Sequence, residues 1–409
     1  MERIILHCDL NNFYASVACH DHPELRNRAV AVCGSVEDRH GIVLAKNMAA
    51  KKAGVKTGEA IWQAKNKCPY LVTVPPDFHR YHEFSERALN IYREFSDLVE
   101  PFGPDEAWLD VSGSTILFGT GAQMADSIRK KIREQLGLTV SVGVSFNKTF
   151  AKLGSDLKKP DATNLVTKEI FREVVWPLPV EAMIGIGPAV KQRLNSCGIY
   201  TLGELANAPE PLLLRNFGKN GKMLRALARG EDTARVAPQS YVHMPKSIGR
   251  STTFKRNLET EDDVWQLLLK LSEEVASELR RHRLTATGVQ LHLRTDQLVI
   301  TEPQTRLEAP CQLGIELAKA GFRLFKEEYD FSRPLRSIGI RAIGTQPEAE
   351  GGGQLLLFGD NEEEQHLQVI ERQMDSLRTR FGKSCIQRGR LVYTDIAASA
   401  HRPFSTLYK

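Results

Sequence analysis

Nowhere in the 409 residues does an apolar run approach the roughly 20 that a membrane-spanning helix requires, which excludes an integral helical membrane protein. The opening MERIILHCDLNNFY is interrupted by His7 and Asp9 and lacks the form of a secretory signal, so a cytoplasmic address is expected. Cysteine is scarce: seven residues, odd in number, scattered, with no CxxC pair. That argues against a disulfide framework or a zinc ribbon and suits reduced thiols in a reducing compartment. The one cluster with ligand chemistry, Cys19 to His22, would need a fourth ligand to hold zinc and reads as the surface end of a helix. Charge of one sign is also lacking. A formal net charge of +5 and a pI near 8.7 permit a polyanionic partner without demanding one.

What is present is ordinary globular composition, 42% hydrophobic and 26% charged, on a chain long enough for two to four domains. Charge is unevenly placed. Residues 214–230 carry Arg215, Lys219, Lys222, Arg225 and Arg229 and no acid, whereas NEEEQ, from Asn361, is an acidic run just past a glycine-rich segment.

RIILHCDL is mostly apolar and suits a strand buried on both faces. A short helix closed by Pro23 follows, then strands in RAVAVCG and GIVLA and a helix ended by Gly54. Helical spacing returns between His79 and Val99, strand alternation in EAWLDVSGS, a helix in AQMADSIRKKIREQL, and strand character in LTVSVGVS. The pattern predicts a mixed α/β sheet carrying helices, not regular βα repeats. From Pro177 to about Arg229 the chain reads as small glycine-punctuated helices, followed by an exposed polar connector. A second α/β unit begins near Lys246, with a long helix in DDVWQLLLKLSEEVASELRRHR and strands including GVQLHLR, QLVITEPQTR and LRSIGIRAIGT. EAEGGG marks a boundary; a helix in EEQHLQVIERQMDSLRTRF and a partly disordered tail from about Gly389 complete the chain.

Three carboxylates stand out because they lie in strands, where a buried charge is expensive. Asp9 ends the first strand; Asp105 and Glu106 open another. Adjacent strand residues point to opposite faces, so a turn or bulge at Gly103-Pro104 is needed to bring both to one site. Such a cluster suits hard divalent cations, which take carboxylates and leave positions for phosphates. On spacing alone, solvent-facing strand ends remain an equal reading.

HCDLNNFYASV, PFGPDEAWLDVSGS and SVGVSFNKTFAKLGSDLKKPDATN together, in this order, resemble the main motifs of the Y-family (translesion) DNA polymerases, of the polymerase IV type. The resemblance runs through nearly the whole chain. It implies a multidomain α/β right-hand polymerase: ferredoxin-like palm and small fingers in residues 1–166 (fingers about 12–75), a helix-hairpin-helix thumb in 167–233, a linker in 234–245, an α/β little finger in 246–345, and a tail in 346–409. It implies that Asp9, Asp105, Glu106 and the backbone carbonyl of Leu10 hold two magnesium ions, with manganese as a substitute. Tyr14 matches the steric gate against a 2′-hydroxyl. Asn12, Phe13, Lys51 and Lys159 match the part that receives the triphosphate. This chain departs from the family where Asn11 replaces a common Asp, Ala18 a Glu, Met48 a Tyr, Lys51 an Arg and Gly103-Pro104 a Ser-Ile; Lys lacks the bidentate fork of Arg. The Asn11 form also resembles the polymerase V catalytic subunit.

Gly185 and Gly187 in IGIGPAV, followed by Lys191 and Arg193, resemble a helix-hairpin-helix turn whose backbone N–H groups meet a phosphate; a hairpin that only packs is the alternative. Lys219, Arg250, Lys255 and Arg294 are further candidates for DNA contact, while Arg280, Arg281 and Arg283 form a charge run that helix ends usually leave solvated. QLLLFGD resembles a peptide that docks on a sliding clamp, with Gln354 as hydrogen-bonding residue and Leu357 and Phe358 filling an apolar pocket; a strand packed on its own domain is the bland reading. The expectation is therefore a monomeric, low-fidelity, template-directed polymerase using primer-template DNA, deoxynucleoside triphosphates and a clamp, in bacterial cytoplasm, for damage tolerance. A catalytically silent DNA- and clamp-binding relative and a nucleotide cyclase are the alternatives. No GGDEF-like stretch supports the cyclase.

Overall fold

The computed structural model describes residues 3–37, 39–238, 244–348 and 361–391, with side chains from residue 366 in the last segment. The chain divides into two compact units, here residues 3–34 with 41–238, and 35–40 with 244–391.

The first unit begins with β1 (Ile5–Leu10), buried along its whole length as its apolar composition requires. It continues with α1 (Phe13–Asp21), β2 (Val30–Cys33), β3 (Val43–Lys46), α2 (Met48–Lys52), α3 (Ile61–Lys67), β4 (Val72–Val74), α4 (Phe78–Arg93), β5 (Val99–Pro101), β6 (Glu106–Asp110), α5 (Thr115–Phe118), α6 (Gly121–Leu136), β7 (Val140–Ser145), α7 (Lys148–Leu157) and β8 (Thr163–Val166). The main sheet has the order β5-β6-β1-β7-β8, antiparallel except for β7-β8. α4 and α6 lay their apolar stripes (Phe84, Ala88, Tyr92; Met124, Ile128, Ile132) on one face, in a core with Leu6, Cys8 and Leu109. On the other face α7 approaches so closely that a Cβ at Gly143 would fall 1.9 Å from the Ala151 carbonyl oxygen, so only glycine fits there. A small sheet, β3-β2-β4, carries α2 and α3 around Val43, Ala64 and Cys68.

Five short helices complete this unit: α8 (Phe171–Val174), α9 (Pro188–Ser196), α10 (Leu202–Asn207), α11 (Glu210–Phe217) and α12 (Lys219–Ala228). The segment after α12 is mostly exposed as far as residue 238, as expected of a connector, but it is fastened down at three points. Val236 is buried, Asp232 accepts hydrogen bonds from the backbone N–H and hydroxyl of Thr149 at the start of α7, and the Ala237 N–H donates to Glu100 at 2.8 Å. Asp232 also answers the positive end of α7, while Glu231, Thr233 and Arg235 stay exposed.

The second unit contains β9 (Ser247–Leu258), α13 (Glu261–Arg281), β10 (Leu284–Thr295), β11 (Ile300–Thr301), β12 (Gln304–Cys311), α14 (Gly314–Glu328), β13 (Leu335–Pro347) and α15 (Asn361–Phe381). QLVITEPQTR, expected as one strand, is split between β11 and β12 at Pro303, which has no N–H for a ladder. The sheet β11-β10-β13-β9, with β12 beside β10, buries one face under α13 and α14.

Arg280 is not the solvated helix-end charge its position suggested. It is buried and pairs with Glu371 and Asp375 of α15, while Glu371 also accepts the Gly314 N–H at 3.0 Å and a bond from Arg388. Glu273 takes Arg378 and Arg388. Leu391 is buried as well, at the end of a short helical turn (Gly389–Leu391); the rest of the tail expected to be partly disordered lies outside the described residues. Removing one member strands the others: Glu371→Ala is expected to cost the second unit about 3 kcal/mol. The check is the denaturant midpoint of the full chain; an unchanged midpoint would show that the network adds nothing.

Candidate active site

Strand register does most of the assembly. Asp9 and Glu106 are directly opposed across β1 and β6, so both side chains leave the same face, together with His7. Asp105 lies just before the strand, in a bend that opens at Gly103 with φ +82°, a conformation that favours glycine. The Leu10 N–H donates to the Asp105 carbonyl at 2.9 Å and holds the bend against the end of β1. The turn expected at Gly103-Pro104 is thus present, and it frees Asp105 from the alternation that would have opposed it to Glu106.

The electrostatics of the three acids differ. Asp9 is buried, which raises its carboxyl above the ordinary range, and Lys159 Nζ stands 2.7 Å from its Oδ2. Lys159 also pairs with Asp156 at 2.7 Å; burial opposes its charge, but these acids outweigh that and raise its pKa. Burial would raise Glu106 too, yet His7 and Lys152 together hold it at about 2. Lys152 is its close ion-pair partner, and His7 Nε2 lies 3.2 Å from Oε2, off the line of a good hydrogen bond. Asp105 forms no ion pair among the described residues. Burial, then Asp9 and Glu106, push it up to about 7.

A half-buried carboxylate left uncompensated between two others is a donor set short of positive charge, and its hard oxygens suit magnesium or manganese. As the side chains stand, Glu106 faces Lys152 and Asp9 faces Lys159. No group of three or more His, Cys, Asp or Glu is arranged around an ion position among the described residues, the Cys19–His22 cluster included. The donor chemistry fits divalent cations, with lysine ammoniums meeting the two outer acids.

Next to this cluster Asn12 adopts a left-handed backbone (φ 49°) at the head of α1, and Asn11 is buried, its amide donating to Ser141 Oγ and its Oδ1 accepting the Asp161 N–H. The departure at Asn11 is therefore a satisfied structural bridge. Phe13 is buried and Tyr14 half-buried. The Tyr14 ring is stacked on Tyr81 of α4 at 3.9 Å and 10°, with Phe78 edge-on. Lys51 is exposed in the last turn of α2, and Met48 opens that helix. Sequence reasoning missed Tyr81, Lys152 and Lys46, whose Nζ donates to Thr57 and whose pKa is lowered by burial and by neighbouring Lys51. KTFAKLGSDL at helical spacing carries the signal for Lys152: it puts Lys148, Lys152 and Ser155 on the face of α7 that meets His7 and Trp108.

Gly185 has φ +90° and Gly187 is the residue preceding α9, with a short 3-10 turn at Val180–Ala182 before them. Lys191 is paired with Glu181 at 2.6 Å, Arg193 lies over the Phe217 ring, and Lys219 is exposed at the start of α12. In the second unit the sheet face away from the helices carries half-buried Arg294 and exposed Arg341, while Lys255 is exposed on β9. Arg250, expected on the DNA side, instead turns toward α13 and pairs with Glu278 at 3.3 Å and Glu274 at 3.8 Å, because it shares the buried side of β9 with Ile248. Gln354, Leu357 and Phe358 lie outside the described residues.

The impB/mucB/samB family model matches residues 8–156, and the model of that family's C-terminal domain matches residues 245–357. DNA polymerase IV of Acetivibrio thermocellus is 47% identical over 392 residues, covering 96% of this chain and 98% of the relative. The chain belongs to the impB/mucB/samB family. DNA polymerase IV 1 of Bacillus subtilis is 35% identical, covering 95% of this chain and 92% of its own. A solved Y-family DNA polymerase chimera superposes with a TM-score of 0.75 at 25% identity, over 84% of this chain and 99% of the chimera. This family member is accordingly a DNA-directed DNA polymerase of the Y family with the expected multidomain α/β fold. No helix among the described residues is long and apolar enough to cross a membrane.

Proposed function

We propose that the chain is a low-fidelity translesion polymerase that extends a primer 3′-end with deoxynucleotides by two-metal-ion catalysis at Asp9, Asp105 and Glu106. The observation that carries this reading is Asp105, half-buried and without an ion pair among the described residues, beside Asp9 and Glu106 at the end of the strand that leads into α1, where Tyr14 is fixed by stacking. Asp9, Asp105, Glu106 and the Leu10 carbonyl would hold the ions. When bound, two such ions supply activation of the attacking hydroxyl and neutralisation of the leaving pyrophosphate. The chain's own part is to position. Lys159, released from Asp9, offers a point charge to the triphosphate, as does Lys51. The backbone at Asn12 and Phe13 receives the phosphates, and Tyr14 fills the space a 2′-hydroxyl would need.

Gly185, Gly187, Lys191, Arg193 and Lys219 would hold the DNA backbone without reading bases, with Lys255 and Arg294 doing so on the second unit. Gln354, Leu357 and Phe358 would tether a monomer to the sliding clamp. A bacterial cytoplasm, and service when templates are damaged, complete the reading. The domain limits given above from sequence belong to it too.

The test is extension of a labelled primer-template by the purified full chain with magnesium. Extension with deoxynucleotides, abolished by EDTA and restored by magnesium or manganese, is the expected result. Tight DNA binding without extension, with clamp present, would transfer the assignment to a catalytically silent scaffold.

A further inference from the structure

Residues 41–75 hold six lysines (Lys46, Lys51, Lys52, Lys56, Lys65, Lys67) and a single acid, Glu59, which is spent on an ion pair with Lys67. In the same layer lie two large exposed aromatics, Trp62 at 64% and Tyr70 at 69%. The other three tryptophans pack on rings of the protein: Trp108 on His7 and Phe102, Trp176 on Phe171, Trp265 on Phe322. Trp62 alone turns its indole outward, at a cost in exposed apolar surface that packing does not explain.

Its support is firm. Ile61, Ala64 and Cys68 form the inward side of α3 and its end, tied into the small core. The Ile61 N–H donates to the Gly41 carbonyl, Ile42 bridges Ala60, and the Gln63 side chain accepts the Ala60 N–H. Helical spacing then puts Lys65 and Asn66 beside Trp62 on the outward face, at i+3 and i+4, all three exposed. This face presents a flat π-surface, a cation and an amide on a short helix that cannot easily turn away.

We propose that the outward face of α3 is a stacking platform for the unpaired template strand, with Trp62 under a base and Lys65 on its phosphate. The local charge selects a polyanion. The exposed indole selects a single strand over a duplex, because the faces of paired bases are already stacked on one another, whereas unpaired bases stack on aromatic side chains whatever their sequence. This rests on the template-directed reading above, since a polymerase copying a template always has unpaired bases ahead of the primer end. It adds a site for that strand separate from the metal and nucleotide residues.

Anisotropy with labelled primer-templates tests it: one duplex with a single unpaired template nucleotide, another with a long overhang. The wild-type full chain should bind the long overhang more tightly. Trp62→Ala should lose roughly tenfold of that advantage, within the range of one base stack, while binding the short-overhang duplex and adding the first nucleotide as wild type does. Trp62→Phe should keep most of the advantage. Lys65→Ala should lose part of it and flatten its salt dependence by about one unit of slope. An overhang advantage in Trp62→Ala equal to that of wild type would overturn the proposal. Because binding is read apart from extension, absence of extension in every protein would sink the polymerase reading while leaving the overhang comparison to decide this one.

Discussion

Asp105→Asn is expected to make the metal-free protein more stable and the enzyme nearly inert. The carboxyl titrates near 7 in the folded protein against an ordinary 3.8, so the folded state keeps a proton that the unfolded state has released. Between about pH 4 and 7 folding stability therefore falls as pH rises, and above 7 the whole penalty is present. Asn cannot ionise and removes that penalty; allowing for coupling to Asp9 and Glu106, the gain is about 2–4 kcal/mol at pH 8. Below about pH 3, where Asp105 is protonated in both the folded and the unfolded state, the two proteins should melt together. Catalysis moves the other way. On the proposed assignment of the three carboxylates to the metal ions, losing one removes several kcal/mol of transition-state stabilisation, a drop in extension on the order of 10³-fold. Magnesium should raise the wild-type melting temperature at pH 8 and do so much less for Asp105→Asn. Melting curves with EDTA or magnesium, beside a primer-extension assay, check all three statements. A variant that is less stable than wild type in EDTA, or that extends primers normally, would remove Asp105 from the metal site.

The part of this site legible in the sequence is the part written in contiguous residues. Asp9, Asp105, Glu106 and Tyr14 sit in motifs whose strand and turn character can be read locally, and even the need for a turn at Gly103 follows from the alternation of side chains along a strand. What the sequence conceals is the company those residues keep. Lys152 meets Glu106 only because α7 is pressed onto the sheet at Gly143, and Tyr81 meets Tyr14 only because α4 crosses α1. The second unit shows the same division. Its helices and most strands follow apolar periodicity, but the pairing of Arg280 with Glu371 and the turning of Arg250 toward α13 are tertiary choices, and each withdrew an arginine from the expected role of solvated or DNA-facing charge. After α12 polar composition marked an exposed stretch correctly but did not show that Asp232 and Val236 within it belong to the first unit's packing.

Tyr14→Ala should make the enzyme accept ribonucleotides. In the wild-type protein the ring is held against Tyr81, nearly parallel at 3.9 Å, with Phe13 and Phe78 at its flanks, so it has little freedom to tilt away from a 2′-hydroxyl. A clash that the surroundings cannot relax costs about 3 kcal/mol, so the ratio of kcat/KM for deoxy- over ribonucleotide should fall by about 10²-fold in Tyr14→Ala. Tyr14→Phe keeps the ring and should keep the discrimination. Tyr81→Ala separates a gate held in place from one that merely occupies space. It leaves Tyr14 intact but removes the stack behind it, worth about 0.5–1.5 kcal/mol, and should lower discrimination by up to about tenfold. Single-nucleotide incorporation with matched deoxy- and ribonucleotide pairs gives the ratios, and circular dichroism melts confirm that each variant is folded. If Tyr14→Ala discriminated as wild type does, the sugar would be read elsewhere. If Tyr81→Ala left the ratio untouched while Tyr14→Ala collapsed it, the ring would be gating by its own bulk, and the stack on α4 would serve only the core.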